Sequence, residues 1–585
     1  RDPAASPAVH RTASPAEQTL CALYAEVLGA RPADVDADAD FFRLGGDSIM
    51  AIQLAARAAA AGLLLAPRDV FTARTPARLA VTARPAAPEQ PAGPDLAEGR
   101  LPLTPIMHWW REQGAPLRTF IQSMVFPVPH GVGRDRIGAA VSALAERHAA
   151  LRMRLVRHDE RTDWELEAGP ATVRTERVAV PAGDDPAGLA QDTARSAELD
   201  PEQGEMLRAV WFDAGPGRPG LLLLLVHHLA VDGVSWRVLG QELARLLEDG
   251  GGLPADPGAS FARWARLLPA EADRATGELD WWTGRLATAD EARLTAGPDG
   301  WTNRSAASAT AHRRAAVTVE LDAALTRSAL VTLPGAFHCG TDAVLLTALV
   351  RAAARRRGTG TALLLHLEGH GREALSAPVD ISRTVGWFVT QYPVLLDPGP
   401  DTGAAALKQV KEQLRAVPSA GLGWGLLRYL HPEAGPTLAA LPAPDVRFAY
   451  LGRFAGDDAA GGRFLDSGPQ AVPVAHALEI DALARGEEDG PRLEATFSYA
   501  RGVLTEDEVR ELARLWTEEL TALVADTADG SVAGHTPSDF PLVDLTVDQL
   551  MEYEDDLDFE EDADGFGDLD GAGDLDGLDG GVNAR

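Results

Sequence analysis

The sequence predicts a small helical unit followed, across a linker, by a larger two-lobed region of α/β type. Three observations predict it. Residues 14–81 carry capped helices with a 3.6-residue apolar period. Residues 82–100 are Pro- and Ala-rich without periodicity. From Leu101 to about Asp544, apolar strand-like runs alternate with amphipathic helices. That last stretch, at roughly 450 residues, exceeds one ordinary domain. Two lobes are expected, 101–275 and 276–544, with the break falling within 272–300.

The bulk numbers bound the function. The chain has 585 residues, 45% of them hydrophobic and 6% aromatic, which suits a globular protein with sizeable cores. A formal net charge of -32 argues against nucleic-acid binding, which needs clustered Lys and Arg. Cys21 and Cys339 are far apart, each in an apolar stretch, so two reduced core thiols of a cytoplasmic protein are expected, with neither a disulfide framework nor a metal site. No run approaches the ~18 apolar residues of a membrane helix, and no secretory signal opens the chain. Beginning at Arg1 rather than Met, it reads as a piece of something longer or as a processed chain.

In order, residues 1–13 are a Pro/Ala-rich lead-in. A helix then starts with Ser14 as N-cap, Pro15 at the first helical position and Glu17 completing a capping box. Leu20, Leu23, Tyr24, Val27 and Leu28 form its buried face, and Gly29 closes it. A second helix begins at about Ser48 and runs through Ile52 toward Arg57, and Phe71 to Leu79 completes the unit. In the larger region, Leu221–Val226 reads as a buried strand delivering His227 and His228, and Ala362–Leu367 as another delivering Glu368. Trp236, Leu239, Leu243 and Leu246 share one helix face.

The last segment, 545–585, is different. Leu545 to about Tyr553 could form a short acidic helix. Residues 551–580 hold 14 Asp and Glu and no Lys or Arg, so disorder is expected. Asp-Leu-Asp-Gly recurs at 568–571 and 574–577, but its spacing does not match a calcium-binding loop.

Ser48 follows Gly45, Gly46 and Asp47 and opens a helix, where unpaired N–H groups favour an anionic substituent. On its own it reads as an N-cap. The stretch Asp40-Phe41-Phe42-Arg43-Leu44-Gly45-Gly46-Asp47-Ser48-Ile49, however, resembles the attachment motif of peptidyl carrier domains in nonribosomal peptide synthetases. Its Asp-Ser form is that of carriers preceding epimerization domains. The resemblance implies a small four-helix carrier bundle and a covalent 4'-phosphopantetheine on Ser48, installed by a phosphopantetheinyl transferase.

His227-His228-Leu229-Ala230-Val231-Asp232-Gly233-Val234-Ser235-Trp236 lies between a buried strand and a helix. A histidine at such a strand end can protrude into a cleft, and a reference pKa near ~6.5 makes it a workable base. Asp232 can pair with a cation or orient the loop, and Gly233 allows a tight turn. Two adjacent histidines are poor metal spacing, so zinc is not expected. The pattern resembles the active-site motif of condensation-type domains with a chloramphenicol-acetyltransferase-like fold. That implies a two-lobed α/β domain with a cleft or tunnel between lobes, catalytic His228, and mainly structural roles for His227 and Asp232.

Further segments resemble epimerization domains in particular: Pro105-Ile106-Met107-His108-Trp109-Trp110, Leu367-Glu368-Gly369-His370-Gly371-Arg372-Glu373, Arg383–Thr390 with Tyr392-Pro393, and Leu414–Pro418 with Gly421–Gly425. The reaction implied is inversion of the α-carbon of an L-aminoacyl or peptidyl thioester through an enolate-like intermediate, with His228 and Glu368 as the acid–base pair. Glu368 needs its pKa lifted from ~4.3 toward ~6–7 by burial. Its alternative role is a structural salt bridge, to Arg372. Val446–Arg453 resembles the family's Phe-Asn-Tyr-Leu-Gly motif, with Ala449 where Asn is usual, so that either Tyr450 or water fills that role or activity is reduced.

Peptide-bond condensation and a catalytically silent docking platform are the rival readings, although a platform would be expected to lose the His-His-x-x-x-Asp-Gly pattern. The implied partners are an upstream adenylation domain, which selects the amino acid, and a downstream condensation domain on a separate subunit. The acidic tail is either a docking element for that downstream protein or a solvated tail without a specific partner.

Overall fold

The computed structural model describes residues 14–539 apart from scattered positions between 29 and 72, longer stretches at 86–96, 296–313, 455–461, 466–474 and 528–533, and a few short gaps. Helix α1 (Pro15–Leu28) begins with the capping box that the sequence spells: Ser14 N donates to Glu17 Oε2 at 2.6 Å and Glu17 N to Ser14 Oγ at 3.2 Å. Its buried face, Leu20, Tyr24 and Val27, packs with Phe41, Leu54, Val70 and Leu79 into a small core of its own. Helix α2 (Pro76–Thr82) closes this unit under a Thr75 cap, with Pro76 in the first turn. The linker is not structureless at its start, because Arg84–Pro85 pairs back onto Leu63–Leu64. Gly29 and Ser48 lie outside the described residues, as do Leu545–Tyr553 and half of the second predicted helix, whose described positions Met50, Ala51, Leu54, Ala55 and Arg57 are helical. Cys339 is buried and Cys21 half-buried, and both are free thiols.

From Gly99 the chain builds two larger sheets. The first contains β1 (Ile121–Val128), β2 (Arg174–Ala179), β3 (Leu207–Asp213) and β4 (Gly220–His227). Strand β4 is the predicted leucine run, and both its faces are covered: Leu222, Leu224 and Val226 join one apolar core while Leu223 and Leu225 join another. A strand buried on both faces reads as a continuous apolar run rather than an alternation. Helices α3 (Pro105–Glu112), α4 (Arg134–Arg147), α5 (Gly233–Leu247) and α6 (Phe261–Arg274) pack on this half.

The second sheet contains β5 (Arg314–Leu321), β6 (Leu363–Gly369), β7 (Thr390–Leu396), β8 (Val446–Phe454), β10 (Leu478–Arg485) and β11 (Arg492–Ala500) in the order β5-β11-β10-β8-β6-β7. It is mixed: β6–β8 and β8–β10 are parallel and the other neighbours antiparallel. Helices α7 (Thr341–Arg357) and α8 (Glu506–Asp526) cover it. Strand β9 (Arg463–Leu465) leaves this half and pairs antiparallel with β1, so the first sheet runs β9-β1-β4-β3-β2. The two halves therefore do not divide at one point in the sequence. Ile381, Val385, Trp387 and Phe388 likewise pack in the core of the first half.

Candidate active site

Strand β4 ends at His227, and a 3₁₀ turn, His228–Ala230, follows. His227 is fully buried. Its Nε2 lies 2.6 Å from the Leu117 carbonyl, which can only accept, so Nε2 carries the proton. Its Nδ1 then accepts from Leu229 N at 3.3 Å, capping the turn. Burial pushes the pKa of His227 down to about 4.

His228 is only partly buried and sits between rings. Phe120 stacks on it at 4.6 Å and 11°, and Trp387 leans against it at 4.8 Å. Burial lowers its pKa to about 4, so the imidazole is neutral at pH 7. Gln122 Nε2 lies 2.9 Å from His228 Nε2, a contact nothing in the local sequence announces.

Asp232 caps α5: its Oδ1 accepts from Ser235 N at 2.8 Å and its Oδ2 from Phe388 N at 3.0 Å. Gly233 is the first residue of α5 and keeps an ordinary backbone, so the turn is made at Asp232 rather than by a left-handed glycine. Trp236, one turn on, is buried and donates to Gln122 Oε1 at 2.7 Å.

Arg372, the partner named in the alternative role of Glu368 as a salt bridge, pairs with Asp232 instead. Its guanidinium is buried and meets Asp232 Oδ1 at 3.3 Å, Ser235 Oγ at 3.1 Å and the Ile381 and Thr384 carbonyls at 2.7 and 2.9 Å, stacked on the Phe388 ring. Gly371, just before it, has φ +66, and a Cβ there would fall 1.7 Å from the Phe388 carbonyl oxygen. Only glycine fits, which explains the second glycine of the Glu-Gly-His-Gly-Arg-Glu segment.

Glu368 stands near the end of β6, and its salt-bridge partner is Arg447, 3.2 Å away on the parallel neighbour β8. Arg447 also holds Asp481 at 2.9 Å and reaches Glu479 at 3.9 Å on β10. Burial raises the pKa of Glu368; Arg447 opposes this, while Asp481 and Glu479 reinforce it. Ala449 is buried opposite Asp481 and alternates onto Arg447's face. Tyr450 instead turns to the side of Phe448 and packs on the core of that half, so it does not replace a missing amide at 449. Among the described residues, no hydrogen bond or ion pair joins His228 directly to Glu368. Each stands at the C-terminal end of a strand in a different sheet.

In the small unit, Gly46 N donates to the Phe41 carbonyl at 2.9 Å, and a Cβ at 46 would meet the Phe41 ring at 2.4 Å. A side chain at 46 would therefore collide with Phe41. Nearby, Arg74 pairs with Asp40 at 2.9 Å.

Comparison with known proteins accords with this geometry. Residues 97–541 match the Condensation domain family, and residues 18–81 match the phosphopantetheine attachment site family. A linear gramicidin synthase of Brevibacillus parabrevis is 32% identical over 92% of this chain, and chondramide synthase of Chondromyces crocatus is 36% identical over 91%. The chain spans only 11% and 14% of those relatives' lengths. The crystal structure of the epimerization domain from the third module of tyrocidine synthetase B superposes with a TM-score of 0.63 at 27% identity, covering 73% of this chain and 97% of that one. A condensation domain from the Monacolin K polyketide synthase shares the fold at 17% identity and a TM-score of 0.57. With nonribosomal peptide synthetases as homologues and a phosphopantetheine attachment domain at its N-terminal end, the chain belongs to the condensation-domain family.

Proposed function

We propose that this chain epimerizes the α-carbon of an aminoacyl or peptidyl thioester tethered at Ser48. The observation that carries this reading is the presence of two proton-handling groups at strand ends of different sheets: a neutral imidazole, His228, and a carboxyl with raised proton affinity, Glu368. Inversion requires a proton to leave one face of the α-carbon and another to arrive on the opposite face. Groups held on separate sheets can serve both faces without the substrate turning over. Each such acid–base contribution is typically ~10²- to 10⁴-fold. Phosphopantetheine, when bound, supplies the thioester that acidifies the α-C–H and the tether that brings it to the cleft.

His228 offers an unprotonated ring nitrogen at neutral pH because burial disfavours its cation. Glu368 retains a proton more readily than an exposed carboxyl because burial and two neighbouring carboxylates outweigh Arg447. Arg372 and Asp232 tie the two motif segments into one unit, which keeps His228's turn in place. The same reading assigns loading to an adenylation domain, installation of the arm to a phosphopantetheinyl transferase, and onward transfer to a condensation domain docked through the acidic tail.

The test loads Ser48 with an L-aminoacyl-phosphopantetheine in heavy water and follows α-deuterium and the D/L ratio. Exchange with inversion is expected, and it should be lost in His228→Ala and Glu368→Ala while loading stays complete. A fully loaded parent chain that shows no exchange overturns the reading.

A further inference from the structure

We propose that Gln122, oriented by Trp236, is a positioning residue that fixes which ring nitrogen of His228 is free to take a proton. The proposal rests on the reading of His228 as the base. Gln122 lies on β1 next to Ile121, which is paired with His227 across the β1–β4 ladder. Its amide bridges two heterocycles: Trp236 Nε1 to Oε1 at 2.7 Å, and Nε2 to His228 Nε2 at 2.9 Å.

An indole N–H can only donate. Trp236 is buried, with Phe464 of β9 set edge-on against it at 5.9 Å, so its N–H must find an acceptor on the spot. The amide oxygen of Gln122 is that acceptor. A flipped amide would set NH₂ against N–H and leave a buried donor unsatisfied, at a cost of about 1–3 kcal/mol. With the oxygen committed to Trp236, the NH₂ faces His228, and it too can only donate. His228 Nε2 must therefore accept, so the neutral ring carries its proton on Nδ1. Nδ1 is buried without a hydrogen-bond partner among the described residues, so the contact with Gln122 is what sets the tautomer.

Two consequences follow for the reaction. The one lone pair of the neutral ring is on Nε2, where it accepts from Gln122 at rest, so that hydrogen bond opens when Nε2 removes a proton. Once Nε2 has gained one, it faces the Gln122 NH₂ donor to donor, which disfavours the imidazolium and drives the proton onward. Stacking against Phe120 and Trp387 keeps the ring from turning away. His227 and Asp232 are the titratable groups that act on His228, and the substitutions below leave both in place.

The experiment labels histidine ring nitrogens with ¹⁵N in the full chain at pH 7 and identifies His228 by its loss in His228→Ala. The parent should show a protonated Nδ1 and a bare Nε2. Trp236→Phe keeps a packed ring but removes the indole N–H, and should yield a mixture of tautomers. Gln122→Glu offers a carboxylate to both rings, and should move the proton to Nε2, raise the pKa of His228 and slow α-exchange at least tenfold. In a Gln122→Leu background, Trp236→Phe should cause no further change in the His228 signals. A parent whose Nε2 is protonated, or a Gln122→Glu chain with an unchanged tautomer and pH profile, would overturn the proposal. The nitrogen assignment needs no turnover, so it can fail while α-exchange is normal, and α-exchange can fail while it holds.

Discussion

Arg372 meets Asp232 at 3.3 Å, both side chains buried, 140 residues apart in sequence. The pair joins the His-His-x-x-x-Asp-Gly turn to the segment after β6, and the guanidinium has no water to fall back on. Removing one member of a buried pair strands the other, at about 3–5 kcal/mol. Arg372→Leu should lower unfolding free energy by that order in urea denaturation. Arg372→Lys should fall between parent and Leu, because one ammonium cannot reach four acceptors spread around a planar fork. An unchanged midpoint for Arg372→Leu would contradict this account.

Arg447 is the positive charge that restrains Glu368's proton affinity. Arg447→Met removes the cation paired with Glu368 and leaves Asp481 and Glu479 beside it, so its pKa should rise further. If Glu368 acts in its protonated form, the alkaline limb of α-exchange assigned to it should move to higher pH. The pH–rate profile of loaded parent and variant decides this; a shift to lower pH would refute it.

His227 is neutral and fully buried in the fold, with a pKa of about 4 against an ordinary value of 6.5. The unfolded chain binds this proton first, so the contribution is present above pH 6.5 and is lost as pH falls toward 4. The loss at the acid end is on the order of 3 kcal/mol. His227→Gln, which keeps a donor for the Leu117 carbonyl, should flatten the dependence between those limits when denaturation curves at pH 7 and pH 4.5 are compared.

Gly371→Ala places a methyl against the Phe388 carbonyl in a left-handed backbone. Strain of this kind costs about 1–3 kcal/mol before any displacement of Arg372. Thermal melting should fall, and α-exchange should fall with it, because Arg372 follows immediately. A parent-like variant would show that this turn has room to move.

What the sequence made legible is local. The capping box at Ser14 and Glu17, the two apolar strands ending in His228 and Glu368, and the helix carrying Trp236 all follow from patterns within a dozen residues. What it hid is long-range. Arg372's choice of Asp232 over Glu368, Arg447's reach from β8, and Gln122's bridge between Trp236 and His228 depend on strand registers spanning more than a hundred residues in two of the three cases. Burial explains another miss: Tyr450 follows Ala449 in sequence, but strand alternation sends it to the opposite face.

Strand β9 bears on how this protein can be recombined with its relatives. Its three residues come from the second half of the chain, yet they edge the first sheet and set Phe464 beside Trp236. A chimera that exchanges everything after residue 275 would import a foreign edge strand onto β1, one ring away from the amide that orients His228. Carrying 463–465 with the N-terminal half should preserve that contact, making this short segment the one to match first when lobes from different synthetases are combined.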